Sequence, residues 1–98
     1  MLTVHETEVF SAWMSKLRDA REKAKIAARI DRLAQGNPGD LAPVGQGVSE
    51  LRIHFGPGYR VYFARRGEEI VILLCGGDKS TQARDIRLAL KIAASLED

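Results

Sequence analysis

The residues from Val48 to Gln82 constrain this chain more than any other stretch. Two alternating segments flank the turn Gly56-Pro57-Gly58, and a third, wholly apolar segment runs from Ile70 to Cys75. Successive side chains of a strand point to opposite faces. Leu51, Ile53 and Phe55 therefore share one side of the first segment, with Arg52 and His54 on the other. In the second, Tyr59, Val61 and Phe63 share a side, with Arg60 and Tyr62 opposite. If the apolar sides meet one core, Arg52, His54, Arg60 and Tyr62 converge on an open sheet face. Gly76-Gly77 ends the third segment and delivers Asp78 and Lys79 to the same edge.

The rest of the chain supplies helices for that core. Leu2 to His5 alternates briefly and reads as a first strand, and Thr7 suits the N-cap of a helix whose stripe is Val9, Phe10, Trp13, Met14 and Leu17. Asp19 opens a second helix with the stripe Ala24, Ile26, Ala27, Ile30, Leu33 and Ala34, stopped at Gly36. The two read as an antiparallel hairpin lying on the sheet. The charges outside the second stripe read chiefly as a solvated face supported by pairs such as Glu22 with Lys25 and Arg29; a contact surface for a nucleic acid or protein is the alternative. Leu41 to Gly47 reads as a connector holding at most a short irregular strand. Ile70 to Cys75, with no polar alternation, reads as the central strand. Ser80 is the expected cap of a last helix with Ile86, Leu88, Ala89, Leu90, Ile92, Ala93 and Leu96 on its apolar side. The fold class is α+β: an N-terminal strand and helical hairpin packed on a small antiparallel sheet, with a C-terminal helix.

At 98 residues the chain is expected to form one domain spanning 1–98. The net charge of +2 argues only weakly for a polyanionic partner. Residues 48–91 are more basic, with eight Arg and Lys against five Asp and Glu. Cys75, the single cysteine, reads as a buried structural thiol in a reducing compartment. With no secretion signal and no apolar run near the ~20 residues of a membrane span, a cytoplasmic protein without membrane contact is expected.

The motifs exclude several chemistries. His5 and His54 lie far apart beside one cysteine, so no metal-ligand spacing exists, and no cofactor is expected. Gly76-Gly77 lacks the spacing of a phosphate-cradling loop. A cationic face with one histidine suits metal-free RNA cleavage, in which a base deprotonates a ribose 2′-hydroxyl for attack on the adjacent phosphorus. Cations stabilise the charge that develops, and an acid protonates the departing oxygen. His54 is the expected base or acid, Arg60 and Lys79 would carry the phosphate charge, and Arg52 would position the backbone. Tyr59 or Tyr62 would stack on a base. Each has a simpler reading: an outward polar strand residue for His54, and cross-strand pairs with Glu50 or Glu68 for the arginines.

The segments E-L-R-I-H-F-G-P-G-Y-R-V-Y-F and I-L-L-C-G-G-D-K-S-T-Q-A-R-D-I resemble the RelE/ParE superfamily of toxins, and more narrowly its HigB-like addiction module killer branch. F-S-A-W-M-S-K-L and G-N-P-G-D extend the resemblance over nearly the whole chain. It implies the toxin of a type II toxin–antitoxin system, cutting messenger RNA on translating ribosomes and neutralised by a cognate antitoxin, of helix-turn-helix type in the HigB-like branch. Operator DNA would be reached only through the antitoxin complex. Carried over, the family's basic strand positions match Arg52 and His54, the arginine after Gly-Tyr matches Arg60, and the basic residue opening the last segment matches Lys79. Gln82 lies in a shared motif, and Arg65 joins the substrate contacts. Asp85 stands about where RelE-like members carry a functional tyrosine. Two other readings differ in class: a ParE-like inhibitor of DNA gyrase, and a binding-only module that pairs with an antitoxin.

Overall fold

The computed structural model describes residues 1–96, so the last two residues of the expected domain lie outside the described part. Five strands, β1 (Thr3–Glu6), β2 (Leu41–Gly45), β3 (Val48–Ile53), β4 (Tyr59–Arg66) and β5 (Ile70–Asp78), form one sheet in the order β1-β5-β4-β3-β2. Three helices, α1 (Glu8–Lys16), α2 (Ala20–Ala34) and α3 (Gln82–Ser95), complete the α+β fold. The sheet is mixed: β1 joins β5 in parallel, while β2 to β5 pair antiparallel. The strand at the centre is therefore β4, and β5 lies one place off it.

Local chemistry explains the boundaries. Thr7 Oγ1 accepts from Phe10 N–H at 3.0 Å and Asp19 Oδ1 from Arg21 N–H at 2.8 Å, so each caps the helix that follows it. Gly36, at φ +85°, ends α2 by taking the left-handed conformation that other residues resist. The connector before β3 is an ordered edge strand, although its register shifts between Pro43 and Gly45. The expected cap at Ser80 is replaced by Asp78, whose carboxylate accepts from Ser80 N–H and starts a 3-10 turn over Lys79–Thr81 that leads into α3.

Helices cover both faces of the sheet. On one, Phe10, Ile26 and Leu33 from α1 and α2 pack with Leu51, Ile53, Val61, Phe63, Val71 and Leu73. On the other, Ala89 and Ala93 of α3 pack on Val48, Tyr62, Ala64, Leu74 and Cys75. A bulge opposite Tyr62 and Phe63 gives β5 one extra residue, so that Leu74 and Cys75 both join the α3 core. Gly76 and Gly77 then let helices approach from opposite sides. A methyl group on Gly76 would overlap the ring of Trp13 in α1, and one on Gly77 would overlap the Asp85 carboxylate in α3. The face expected to be open is thus largely roofed. The broad apolar side of α3 needs a partner, and the Tyr62, Ala64 and Cys75 side of the sheet is the surface left to bury it.

Candidate functional site

At the end of the roofed face nearest the Gly56-Pro57-Gly58 turn, the apolar packing gives way to polar side chains. Arg52 of β3 lies opposite Arg60 of β4, and Arg60 opposite Gly77 of β5. One step further in, Glu50 lies opposite Tyr62. Glu50 is only 1% exposed and is the anion of the cluster. Its carboxylate accepts from Arg52 Nε at 2.9 Å, from Gln82 Nε2 at 2.8 Å and from the Tyr62 hydroxyl at 3.2 Å. Burial pushes its pKa up, but these bonds and the Arg60 charge outweigh it and hold the group below its ordinary value. Arg52, its side chain 38% exposed, is correspondingly held more firmly protonated by that bond.

Arg60 has no such arrangement. The residue is 7% exposed, its Nε is buried with no hydrogen-bond partner, and among the described residues it makes no ion pair within 4.0 Å. Buried donors are nearly always satisfied, so this unpartnered Nε, near the Glu50 charge but not bonded to it, is a donor that an outside acceptor can engage. It is the most informative side chain of the molecule.

Around this cluster lies a wetter rim. His54 follows β3 and is 66% exposed, with Nε2 at 2.5 Å from Asp40 Oδ2. That hydrogen bond, with the nearby Arg52 charge, holds Asp40 below its ordinary pKa. Lys79 is exposed, and its aliphatic stem runs past Gly58. His54, Phe55, the Gly56-Pro57-Gly58 turn and Lys79 line a depression of about 490 Å³. Arg52, His54, Arg60 and Lys79 are thus gathered at one end of the sheet, in two layers.

The remaining expected contacts fall elsewhere. Tyr62 is fully buried beneath α3 and Tyr59 nearly so, and neither ring is open to stack on a base. Tyr59 points to the other face, where its hydroxyl donates to Glu22 at 2.6 Å and its ring meets Trp13 edge-on. Burial first, then Glu22, pushes its phenol up to about 12; Tyr62 is raised as well, by burial and by Glu50. Arg65 is exposed near the opposite end of β4, five residues and roughly 17 Å of extended strand from Arg60. Asp85 is buried, accepting from Thr81 Oγ1 at 2.5 Å, so its carboxylate braces the entry to α3 instead of facing solvent. Gln82 belongs to the cluster through Glu50 alone.

Glu50 and Asp40 complete the cluster with little mark in the local sequence. Alternation alone puts Glu50 on the Arg52 side, and a carboxylate centred among cations was the available signal; its depth depends on α3. Asp40 is brought to His54 by the register of β2 on β3, which no local pattern announces. Nor are the expected ion pairs of α2 present: Glu22 is turned to Tyr59, and Arg29 donates to the carbonyls of Arg52, Pro38 and Asp40.

Among the described residues no three His, Cys, Asp or Glu side chains gather as metal ligands, and no helix is long and apolar enough to cross a membrane. Residues 12–94 match the family model described as Phage derived protein Gp49-like (DUF891). An uncharacterized protein of Haemophilus influenzae is 52% identical over 95 residues, covering 97% of this chain and 96% of the relative. The match spans both arginine-bearing strands, the Gly-Gly segment and most of α3, and on it the chain belongs to the Gp49-like phage-derived family, a family of RelE/ParE-like toxins.

Proposed function

We propose that the protein is the toxin of a type II toxin–antitoxin system, of the HigB-like kind, and that it cleaves messenger RNA without a metal ion, on translating ribosomes. The observation that carries this reading is Arg60: a nearly buried guanidinium with an unpartnered donor, flanked by a second arginine that a buried carboxylate holds in place. A phosphodiester supplies the missing acceptor. Arg60 and Lys79 stabilise the charge that develops on the phosphoryl oxygens, and Arg52 orients the backbone. His54, steadied by Asp40, takes the proton of the 2′-hydroxyl or returns one to the departing 5′-oxygen, so that one P–O bond forms as the other breaks. Glu50 is a positioning residue, with Gln82 and Tyr62 acting through it. A cognate antitoxin silences the site in the cell, reaching operator DNA as the complex.

Inducible expression of the wild type beside an Arg60→Ala/Lys79→Ala variant tests this reading, with growth, 5′-end mapping of messenger RNA and DNA-damage signalling followed together. Growth arrest with codon-phased new RNA ends is expected, and the variant should cleave at least ~10²-fold more slowly. Arrest with a DNA-damage response and intact messages would overturn the proposal in favour of gyrase inhibition. A folded wild-type protein that causes no arrest would overturn it in favour of a binding-only module.

A further inference from the structure

A second depression, of about 330 Å³, opens on the other side of His54 and Phe55, lined by Lys25, Arg29, Arg32 and Ile53 besides those two. Lys25, Arg29 and Arg32 lie at i, i+4 and i+7 of α2, one helical face, adjacent to the stripe that buries Ile26 and Leu33. None of the three is in a close ion pair: among the described residues none has a carboxylate within 4.0 Å, although Arg29 still feels the Asp40 charge. The acids in reach are engaged elsewhere, Glu22 with Tyr59 and Asp40 with His54. Arg29 is locked by three backbone carbonyls and forms the floor, with its Nε buried and unpartnered. Phe55 is half-buried against the core, and the Lys25 ammonium lies over its ring, 5.4 Å from the centre, a place it gives up to a base when it turns to a phosphate.

Cations beside a partly exposed aromatic face suit a single nucleic-acid strand, whose phosphates meet the cations while a base stacks on the ring. The position fits the same ligand. His54 and Phe55 line both depressions, so a strand leaving the Lys79 side crosses the 54–58 loop directly onto α2. Lys25 and Arg32 stand about 10 Å apart along the helix axis and so engage different phosphates. The geometry points to a subsite for the single-stranded RNA that flanks the cleaved phosphate, with Lys25 and Arg32 on the backbone and Phe55 under a base. This assignment rests on the nuclease reading for its substrate, and it makes α2 the element that holds a message in register with Arg60.

The test is equilibrium binding of a fluorescein-labelled, uniformly 2′-O-methylated RNA strand of about 12 nucleotides, within the footprint of small single-strand binders. The probe has no 2′-hydroxyl to attack, so binding is read apart from cleavage. Across roughly 50 to 200 mM salt, Lys25→Gln/Arg32→Gln should bind more weakly, with a log–log salt slope smaller by about 1.4, the release of ions from two phosphates. Phe55→Leu, which keeps the apolar packing and loses the aromatic face, should bind about tenfold more weakly with the slope unchanged. Wild-type affinity and slope in the double variant, or wild-type affinity in Phe55→Leu, would overturn the subsite. Preserved binding alongside normal message cleavage by the wild type would sink the subsite and leave the nuclease standing. Weakened binding in both variants, with no cleavage by the wild type, would leave the subsite standing and sink the nuclease.

Discussion

Glu50 and Leu51 are neighbours on β3 and almost equally buried, at 1% and 0% exposure, yet they are held by opposite physics. Leu51 faces α1 and α2 in a dry core with Ile53, Val61 and Phe63, where burial itself stabilises. Glu50 faces α3, where burial opposes its charge and only three donors and the arginines make it tolerable. The comparison teaches where binding can occur. The apolar core around Leu51 is complete on its own, whereas the polar end of the α3 face holds an arginine, Arg60, whose buried Nε no acceptor satisfies; the second such donor, Arg29 Nε, lies at the edge of α2 and not in that core. Polar groups incompletely paired inside a fold are where an outside ligand has the most to add.

Breaking the two sides in parallel gives the largest expected effects. Leu51→Ala should lower stability by about 3 kcal/mol through the cavity it leaves. Glu50→Gln should cost about 3 kcal/mol at neutral pH, because Arg52 and Arg60 lose their buried counter-charge. Denaturant unfolding across pH separates them. The native Glu50 pKa lies below its ordinary value of 4.5, so the stabilisation from its charge is full above that value. It fades as pH falls through the lower native pKa. Glu50→Gln should therefore converge on the wild type in acid, while the deficit of Leu51→Ala persists; parallel curves would show that Glu50 is not charged in the native protein.

The two tyrosines sharpen the same contrast at about 1 kcal/mol each. Tyr62→Phe removes a donor from Glu50, and Tyr59→Phe removes one from Glu22 on the other face. Both should destabilise modestly, but only Tyr62→Phe should also slow the proposed RNA cleavage, by loosening the carboxylate that holds Arg52. Equal cleavage by both variants would detach Glu50 from the site. The smallest effect belongs to Cys75. Its thiol lies under α3 with Sγ–H donating to the Asp85 carbonyl, and burial, then the Asp85 charge, pushes its pKa up to about 12. Iodoacetamide should leave it unmodified in the native protein and alkylate it in denaturant.

Much of the frame was legible because it is written in local chemistry. Thr7 and Asp19 announce helix starts through hydroxyl and carboxylate caps, Gly36 announces a stop, and the alternation around Gly56-Pro57-Gly58 announces β3 and β4. The side on which Arg52 and Arg60 lie followed from the same alternation. Their depth did not. An amphipathic α3 can be inferred from spacing, but which sheet face it covers depends on where β5 enters the order, and that placement buried Tyr62, Glu50 and Asp85.

By itself, then, the sequence determined which residues could be strand, helix and turn, and that arginines and a histidine would cluster around one hairpin. Periodicity and capping act over a few residues and need no distant partner. Only the tertiary structure decided that the cluster has a buried floor and an exposed rim, that Asp40 meets His54, and that Arg60 is left with an unpartnered donor. Burial and electrostatics depend on elements far apart in the chain, and Arg60 was buried with an unpartnered donor only when α3, 22 residues further on, closed over its strand.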